Sequence, residues 1–202
     1  YLIENGIEMP SQTVSNPFQS KDRLNILIIS RFDYAKNTEL VVPIIKQLSD
    51  RNQLDKFNIN IIGTGSGKMV LEKLLRDESL ENRVIFHGEI NDIGNLFKTG
   101  FCYLSTSRWE GLPLAVLEAL SYGIPVIATD VAGNNDVVEP GSNGYLYDLT
   151  NPARAAEYLL KVSDDCELWA KLSAHCLTKF NTKYLVKNMT DSTEGLYDAL
   201  LS

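Results

Sequence analysis

The chain has 202 residues and a formal charge of −7, with acidic and basic residues mixed and no run of five or more of one sign. That length suits one well-buried α/β domain and is short for two, and the acidic balance disfavours nucleic acid as a partner. Cys102, Cys166 and Cys176 are odd in number and not spaced C-x-x-C, which points to a reducing, cytoplasmic compartment, and neither a membrane span nor a signal peptide is evident.

Residues 1–23 show little periodicity and contain Asn5-Gly6, Pro10 and Pro17, so they read as an edge segment or interdomain linker. The chain starts at Tyr1 as if mid-fold, and a missing N-terminal portion is expected. From Leu24 a regular fold begins, giving a domain expected over 24–202. Its first apolar run, Ile26 to Ile29, leads into Ser30-Arg31-Phe32-Asp33-Tyr34-Ala35-Lys36-Asn37 and a helical pattern from Thr38 to Leu48. Arg31 and Lys36 stand where a strand's carboxyl end would place a guanidinium fork and an ammonium point charge, a pair suited to clamping a diphosphate or to lying on the surface.

The second run, Ile59 to Ile62, opens into Gly63-Thr64-Gly65-Ser66-Gly67-Lys68 and a helix over Lys68 to Leu75. The turn lacks the G-x-x-x-x-G-K-[ST] spacing of a phosphate loop, because Met69 follows Lys68, and it is no dinucleotide fingerprint. Its glycines suit a tight turn that keeps side chains out of a crevice. The third run, Val84 to Phe86, leads to His87-Gly88-Glu89-Ile90, either a plain turn or a wall for a flat ring. A short helix over Ile93 to Phe97 and a strand over Phe101 to Leu104 follow, the latter holding Cys102 as a small buried residue.

Ser107 to Thr150 then packs Glu110 and Glu118, eight apart, around a helix over Leu112 to Tyr122 and an apolar strand over Val126 to Ala128. Gly111 permits close backbone approach and Pro113 pre-sets φ for the first turn. Leu114, Leu117 and Leu120 are expected to face a sheet, with Glu118 at the helix edge. Arg108 is the only base in this acidic stretch, so a phosphate bound here must take its cations from elsewhere. Val131-Ala132-Gly133-Asn134-Asn135-Asp136 leads into a short helical turn whose amides suit phosphate oxygens. A strand at Gly144 to Tyr147, a helix over Ala153 to Val162 and an amphipathic tail from Glu167 to Leu201 complete the chain, with Trp169, Leu172, Phe180, Tyr184, Leu185 and Leu196 as its packing residues.

Continuous apolar runs alternating with helical patterns predict a Rossmann-like, doubly wound parallel α/β sheet of about six strands with a C-terminal helical tail. In that architecture every polar cluster named above falls at a strand's carboxyl end. His87 and His175 lie far apart, so no metal site is expected, and neither G-x-S-x-G nor a Ser-His-Asp order is present.

Read whole, residues 24–200 resemble the nucleotide-sugar-binding, C-terminal domain of a retaining glycosyltransferase of family 4, one half of a glycosyltransferase B fold. The resemblance rests on the E-x7-E motif in E-G-L-P-L-A-V-L-E-A-L-S-Y-G-I-P-V-I-A-T-D, met by Glu110 and Glu118. It implies that Glu110 faces the donor sugar, with Gly111, Leu112, Pro113 and Leu114 beside it, and that Glu118 holds the ribose hydroxyls. Arg31 and Lys36 match the basic pair on the diphosphate, Gly63 and Gly65 the glycine turn, and Gly133, Asn134 and Asn135 the loop beside sugar and phosphate. Ile90 lies where backbone groups would read the base. Asp136 replaces the usual glutamate, and Ala132-Gly133 a glycine pair.

The implied reaction is transfer of a sugar from a nucleoside diphosphate donor to an acceptor hydroxyl with retention, in polysaccharide or glycoconjugate synthesis. Glu110, Arg31 and Lys36 would be its catalytic residues, fixed charge around the leaving diphosphate its main catalytic term, and no metal or further cofactor would be needed. A UDP-sugar is the preferred donor. A saccharide or lipid-linked acceptor would bind through the absent N-terminal domain, which would also provide any peripheral attachment to a membrane, and the present domain alone would turn over poorly. The alternatives are a non-catalytic nucleotide-sugar-binding module and a sugar-nucleotide epimerase domain, the latter leaving E-G-L-P-L-A-V-L-E unexplained.

Overall fold

The computed structural model describes residues 5–201. Six strands, β1 (Leu24–Ile29), β2 (Phe57–Ile62), β3 (Val84–Gly88), β4 (Gly100–Ser105), β5 (Val126–Thr129) and β6 (Gly144–Tyr147), form one parallel sheet in the order β3-β2-β1-β4-β5-β6. β1 pairs in register with β2 from Leu24 opposite Phe57 to Ile29 opposite Ile62. On its other side β1 meets β4, so the order reverses between β1 and β4, the switch point where such sheets hold ligands. Helices α1 (Val41–Asp50), α2 (Lys68–Asp77), α3 (Gly94–Phe97), α4 (Leu114–Tyr122), α5 (Asn134–Val137) and α6 (Pro152–Ser163) alternate with the strands, and α7 (Cys166–Lys179) and α8 (Val186–Leu201) close the chain.

β1 from Ile26, β4 from Phe101 and β5 read as apolar runs because both faces are covered, whereas β2 carries Asn58 and a buried Asn60, and edge strand β3 leaves Ile85 exposed. In β1, Ile26 and Ile28 join the core shared with α1, α2 and α6, while Leu27 joins the one shared with α4. Each such fully buried side chain contributes about 1.5–3 kcal/mol. Pro43 is accommodated as the third residue of α1, where no intrahelical N–H bond is lost. Gly123, at φ 79°, ends α4 in the left-handed conformation, where its N–H bonds back to the Leu120 carbonyl.

The tail departs from one amphipathic helix. A π-helical turn over Phe180–Tyr184 and an extended Leu185 separate α7 from α8. Ile7 bridges Leu185 there, its N–H donating to the Tyr184 carbonyl at 2.9 Å and its own carbonyl accepting from Val186 at 3.0 Å. Val14 and Phe18 also pack against the core, the Phe18 ring edge-on to Phe101 and Trp169. Of the expected tail residues, Trp169, Leu172, Phe180 and Tyr184 are buried, and Leu185 and Leu196 are half-buried.

Candidate functional site

At the carboxyl ends of β1, β2 and β3 the loops enclose a cleft of about 500 Å³, lined among others by Arg31, Lys36, Gly63, Ile90 and Glu118. Smaller hollows of about 310 and 270 Å³ both include Asp55, beside the start of β2, at the end of the sheet remote from every strand-end cluster. The cleft thus gathers residues from four separate segments that sequence alone only listed. Its floor depends on Gly63. With φ at 128° its backbone is left to glycine, and a Cβ there would lie 2.1 Å from the Ser30 carbonyl oxygen. The turn is stitched to the β1 loop, Ser30 donating to the Ile62 carbonyl at 2.9 Å and Phe32 to that of Thr64 at 2.9 Å, and Gly65 lies against the Phe32 backbone.

Lys36 and Glu110, expected to act on different parts of one ligand, touch each other. Lys36 Nζ lies 2.6 Å from Glu110 Oε1, and the same oxygen accepts from Ser107 Oγ at 2.6 Å. The side chains are 26% and 12% exposed, so this pair is screened far less than a surface ion pair. Buried hydroxyls and amides fix both loops. Thr129 Oγ1 donates to the Ser107 carbonyl at 2.6 Å, Thr106 Oγ1 to the Lys36 carbonyl at 2.9 Å, and Asn37 Nδ2 to the Thr106 carbonyl at 3.2 Å. Asn37 adopts φ 50°, a conformation its short amide tolerates better than most side chains. Arg31 is 74% exposed and its guanidinium lies 3.1 Å from the Asp33 carboxylate.

Glu118 reaches the cleft from α4, half-buried, and desolvation holds its carboxyl above the usual carboxylate range. Beneath it Tyr103 donates from its hydroxyl to the Ile29 carbonyl at 3.1 Å. Burial, then the charges of Glu110 and Glu118, push that phenol well up, so it stays a neutral donor. Pro113 precedes α4, its carbonyl accepting from Val116 and Leu117. The buried face of α4 is Val116, Leu117, Ala119, Leu120 and Ser121. Leu114 does not join it: four residues before Glu118, it shares that residue's side of the helix and is exposed, as is Gly111, with Leu112 half-buried.

Gly133, at φ 84°, packs so closely on the Glu110–Gly111 loop that a Cβ would lie 2.3 Å from the Gly111 carbonyl oxygen, and Glu110 N–H donates to the Ala132 carbonyl at 3.2 Å. Asn134 is fully buried and turned inward, its Nδ2 donating to the Thr129 carbonyl and Oγ1, each at 3.1 Å, and to Ser105 Oγ at 3.4 Å. Asn134 turns its side-chain NH2 into the fold and leaves its buried Oδ1 without a hydrogen-bond partner among the described residues, while Asn135 is exposed. His87 Nε2 lies 2.9 Å from Asn60 Oδ1, tying β3 to β2. Ser107 and Asp33 carry no role that sequence reasoning assigns, although Ser107 stands three before Glu110. Among the described residues no three of His, Cys, Asp and Glu gather as metal ligands, and no helix is long and apolar enough to cross a membrane.

A doubly wound parallel sheet thus carries, at its strand ends, a cleft lined by Arg31, Lys36 and Glu118. Residues 12–175 match the family described as glycosyl transferases group 1, and the chain belongs to that family. It is 29% identical over 171 residues to the UDP-Gal:alpha-D-GlcNAc-diphosphoundecaprenol alpha-1,3-galactosyltransferase of Escherichia coli, covering 84% of this chain and 44% of that protein. It is 26% identical over 172 residues to the poly(ribitol-phosphate) alpha-N-acetylglucosaminyltransferase of Staphylococcus aureus, covering 85% of this chain and 34% of that one. The chain thus spans less than half the length of either relative. In fold it is similar to HepE of Anabaena in complex with UDP, with a TM-score of 0.87 at 20% identity over 98% of this chain and 57% of that one. A single-residue mutant of S. aureus TarM, in complex with fondaparinux, alpha-GlcNAc-glycerol and UDP, gives 0.85 at 23% over 98% of this chain and 39% of that one.

Proposed function

We propose that this domain binds the nucleoside diphosphate sugar of a retaining glycosyltransferase and, within a longer protein, presents it to an acceptor hydroxyl. One observation carries the reading: Lys36 joins Arg31 and Glu118 in a single cleft and is in direct contact with Glu110. In this reading residues 24–202 form the donor-binding unit, residues 1–23 lead into it, and an acceptor-binding domain precedes it. Arg31 and Lys36 take the diphosphate, Glu118 the ribose hydroxyls, Ile90 and its neighbours the base, and Glu110 the sugar.

The chemistry follows from the charges. As the bond between the anomeric carbon and the diphosphate oxygen breaks, negative charge grows on the diphosphate beside two cations and positive charge grows on the sugar beside Glu110. Both charges meet groups already in place once Lys36 and Glu110 share or exchange their mutual contact. A UDP-sugar is the donor we favour, supported by the UDP named in the two fold neighbours.

Calorimetry against nucleoside diphosphates and their sugars tests the reading. UDP or GDP should bind with micromolar to millimolar affinity, about −4 to −8 kcal/mol. Binding by no member of the panel would overturn it. Joining the domain to its N-terminal partner and assaying transfer separates an enzyme from a binding module.

A further inference from the structure

Two large aromatic side chains stand in the open beside this site. Tyr34, from the loop after β1, is 71% exposed and Trp109, from the loop after β4, is 52% exposed, yet their ring centroids are 5.7 Å apart. Exposed and in mutual contact, the two rings make a small apolar patch. They are also held in place. The Arg108 guanidinium carbon lies 4.5 Å from the Tyr34 centroid, Arg108 Nη2 donates to the buried Asn37 Oδ1 at 2.7 Å, and Arg108 N–H donates to the Ala35 carbonyl at 2.7 Å. Rings fixed in this way lose little freedom when a ligand covers them.

Their surroundings select the ligand. Trp109 is bonded to Glu110, Tyr34 stands two residues before Lys36, and neither ring lines the cleft assigned to the donor. The residues adjoining them in sequence, Asp33, Ala35, Arg108, Glu110 and Gly111, are polar or small, which leaves the two rings as the main apolar area there. That falls far below the about 800 Å² per partner of a stable protein interface but matches a single sugar ring. A pyranose offers apolar C–H faces for the rings and hydroxyls for the neighbouring carboxylate. We propose that Tyr34 and Trp109 form a shelf for a pyranose ring of the acceptor, just outside the donor cleft. The assignment of the acceptor as occupant rests on the donor-site reading above.

The chain has two tryptophans, and Trp169 is buried with Nε1 donating to the Phe101 carbonyl at 2.8 Å, so its indole N–H signal serves as an internal reference. The ¹H–¹⁵N spectrum should be followed while galactose, N-acetylglucosamine or lactose is added, with and without UDP. The shelf predicts a saturable shift of the Trp109 indole with at least one saccharide, while Trp169 stays still. Trp109→Ala should weaken that saccharide by about tenfold or more, Trp109→Phe by less, and both should leave UDP affinity within about twofold of wild type. No shift with any saccharide, while UDP binds, would overturn the shelf. A Trp109 shift with UDP-glucose but with neither UDP nor free saccharide would overturn the acceptor assignment in favour of the donor sugar. Self-association lost in Trp109→Ala would overturn it in favour of a protein contact. Saccharide binding without any UDP binding would uphold the shelf and sink the donor-site reading instead.

Discussion

Lys36 Nζ and Glu110 Oε1 lie 2.6 Å apart although 74 residues separate them, so the cation assigned to a diphosphate is already held by the carboxylate assigned to the sugar. A ligand that takes both groups must share or exchange this contact. Glu110→Gln removes the competing charge while preserving an acceptor for Ser107. It should therefore leave UDP affinity unchanged or tighten it, and should weaken a UDP-sugar relative to UDP, as paired titrations would reveal. In a two-domain protein that carries this domain, the same change should cut transfer by about 10²-fold or more if the contact strengthens in the transition state. Weaker UDP binding by this variant would show that Glu110 supports the diphosphate site structurally.

Arg31 is the more dispensable cation for folding, being exposed and, among the described residues, ion-paired with Asp33 two residues on. Arg31→Ala should weaken UDP by about 1.5–3 kcal/mol, the range for hydrogen bonds to charged groups, with no change in Tm. Asp33→Asn should tighten UDP, because it frees the guanidinium. Opposite effects of these two variants would identify Arg31 as a diphosphate contact, and indifference to both would leave it a surface residue.

The Glu118 carboxyl gives a pH-dependent test. Burial raises its folded-state pKa above the unfolded value, so the fold favours the protonated form. Its stabilising contribution is complete below the unfolded value, about 4.3, and is lost as pH rises through the raised folded value. Glu118→Gln should hence raise Tm relative to wild type at about pH 7.5 but not at about pH 3.5. It should also weaken UDP and a UDP-sugar by similar amounts, since both carry the ribose. An equal Tm difference at both pH values would remove desolvation as the cause.

Gly133→Ala probes the seat of the Glu110 loop. The added methyl meets the Gly111 and Glu110 carbonyls in a backbone conformation that already disfavours a side chain, so the loop must move. A loss of about 1–3 kcal/mol or more in unfolding free energy, with weakened UDP-sugar binding, is expected from denaturant melts and calorimetry. Wild-type values in both would mean that the contact between the two loops yields freely.

The sheet was legible because central strands buried on both faces leave apolar runs such as Ile26 to Ile29, even though β2 interrupts its run with Asn60. The glutamate pair was legible through its glycine and proline frame rather than through its spacing. What escaped were relations between distant residues. Nothing near Lys36 in sequence says that its ammonium ends on Glu110, and nothing near Ile7 announces its bridge to Leu185 across a π-helical turn. The inward turn of Asn134 was also unreadable, because only the fold brings the β4 and β5 termini to its side-chain NH2. Leu114 misled because a three-residue spacing drifts around the helix, carrying it off the face that Leu117 and Leu120 bury. Ser107 left a readable trace, a hydroxyl three residues before a loop glutamate.

Most direct for the central claim is a calorimetric titration of UDP into the wild-type chain and into Lys36→Ala, each with its Tm recorded. Loss of the ammonium leaves a largely buried Glu110 carboxylate without its cation, so Tm should fall somewhat, by the equivalent of about 1–2 kcal/mol, while the chain stays folded. UDP should bind the wild type and weaken in the folded variant by about 1.5–3 kcal/mol. Equal UDP affinity for the two proteins would contradict the account, leaving Lys36 as a structural partner of Glu110 and the cleft without its diphosphate cation.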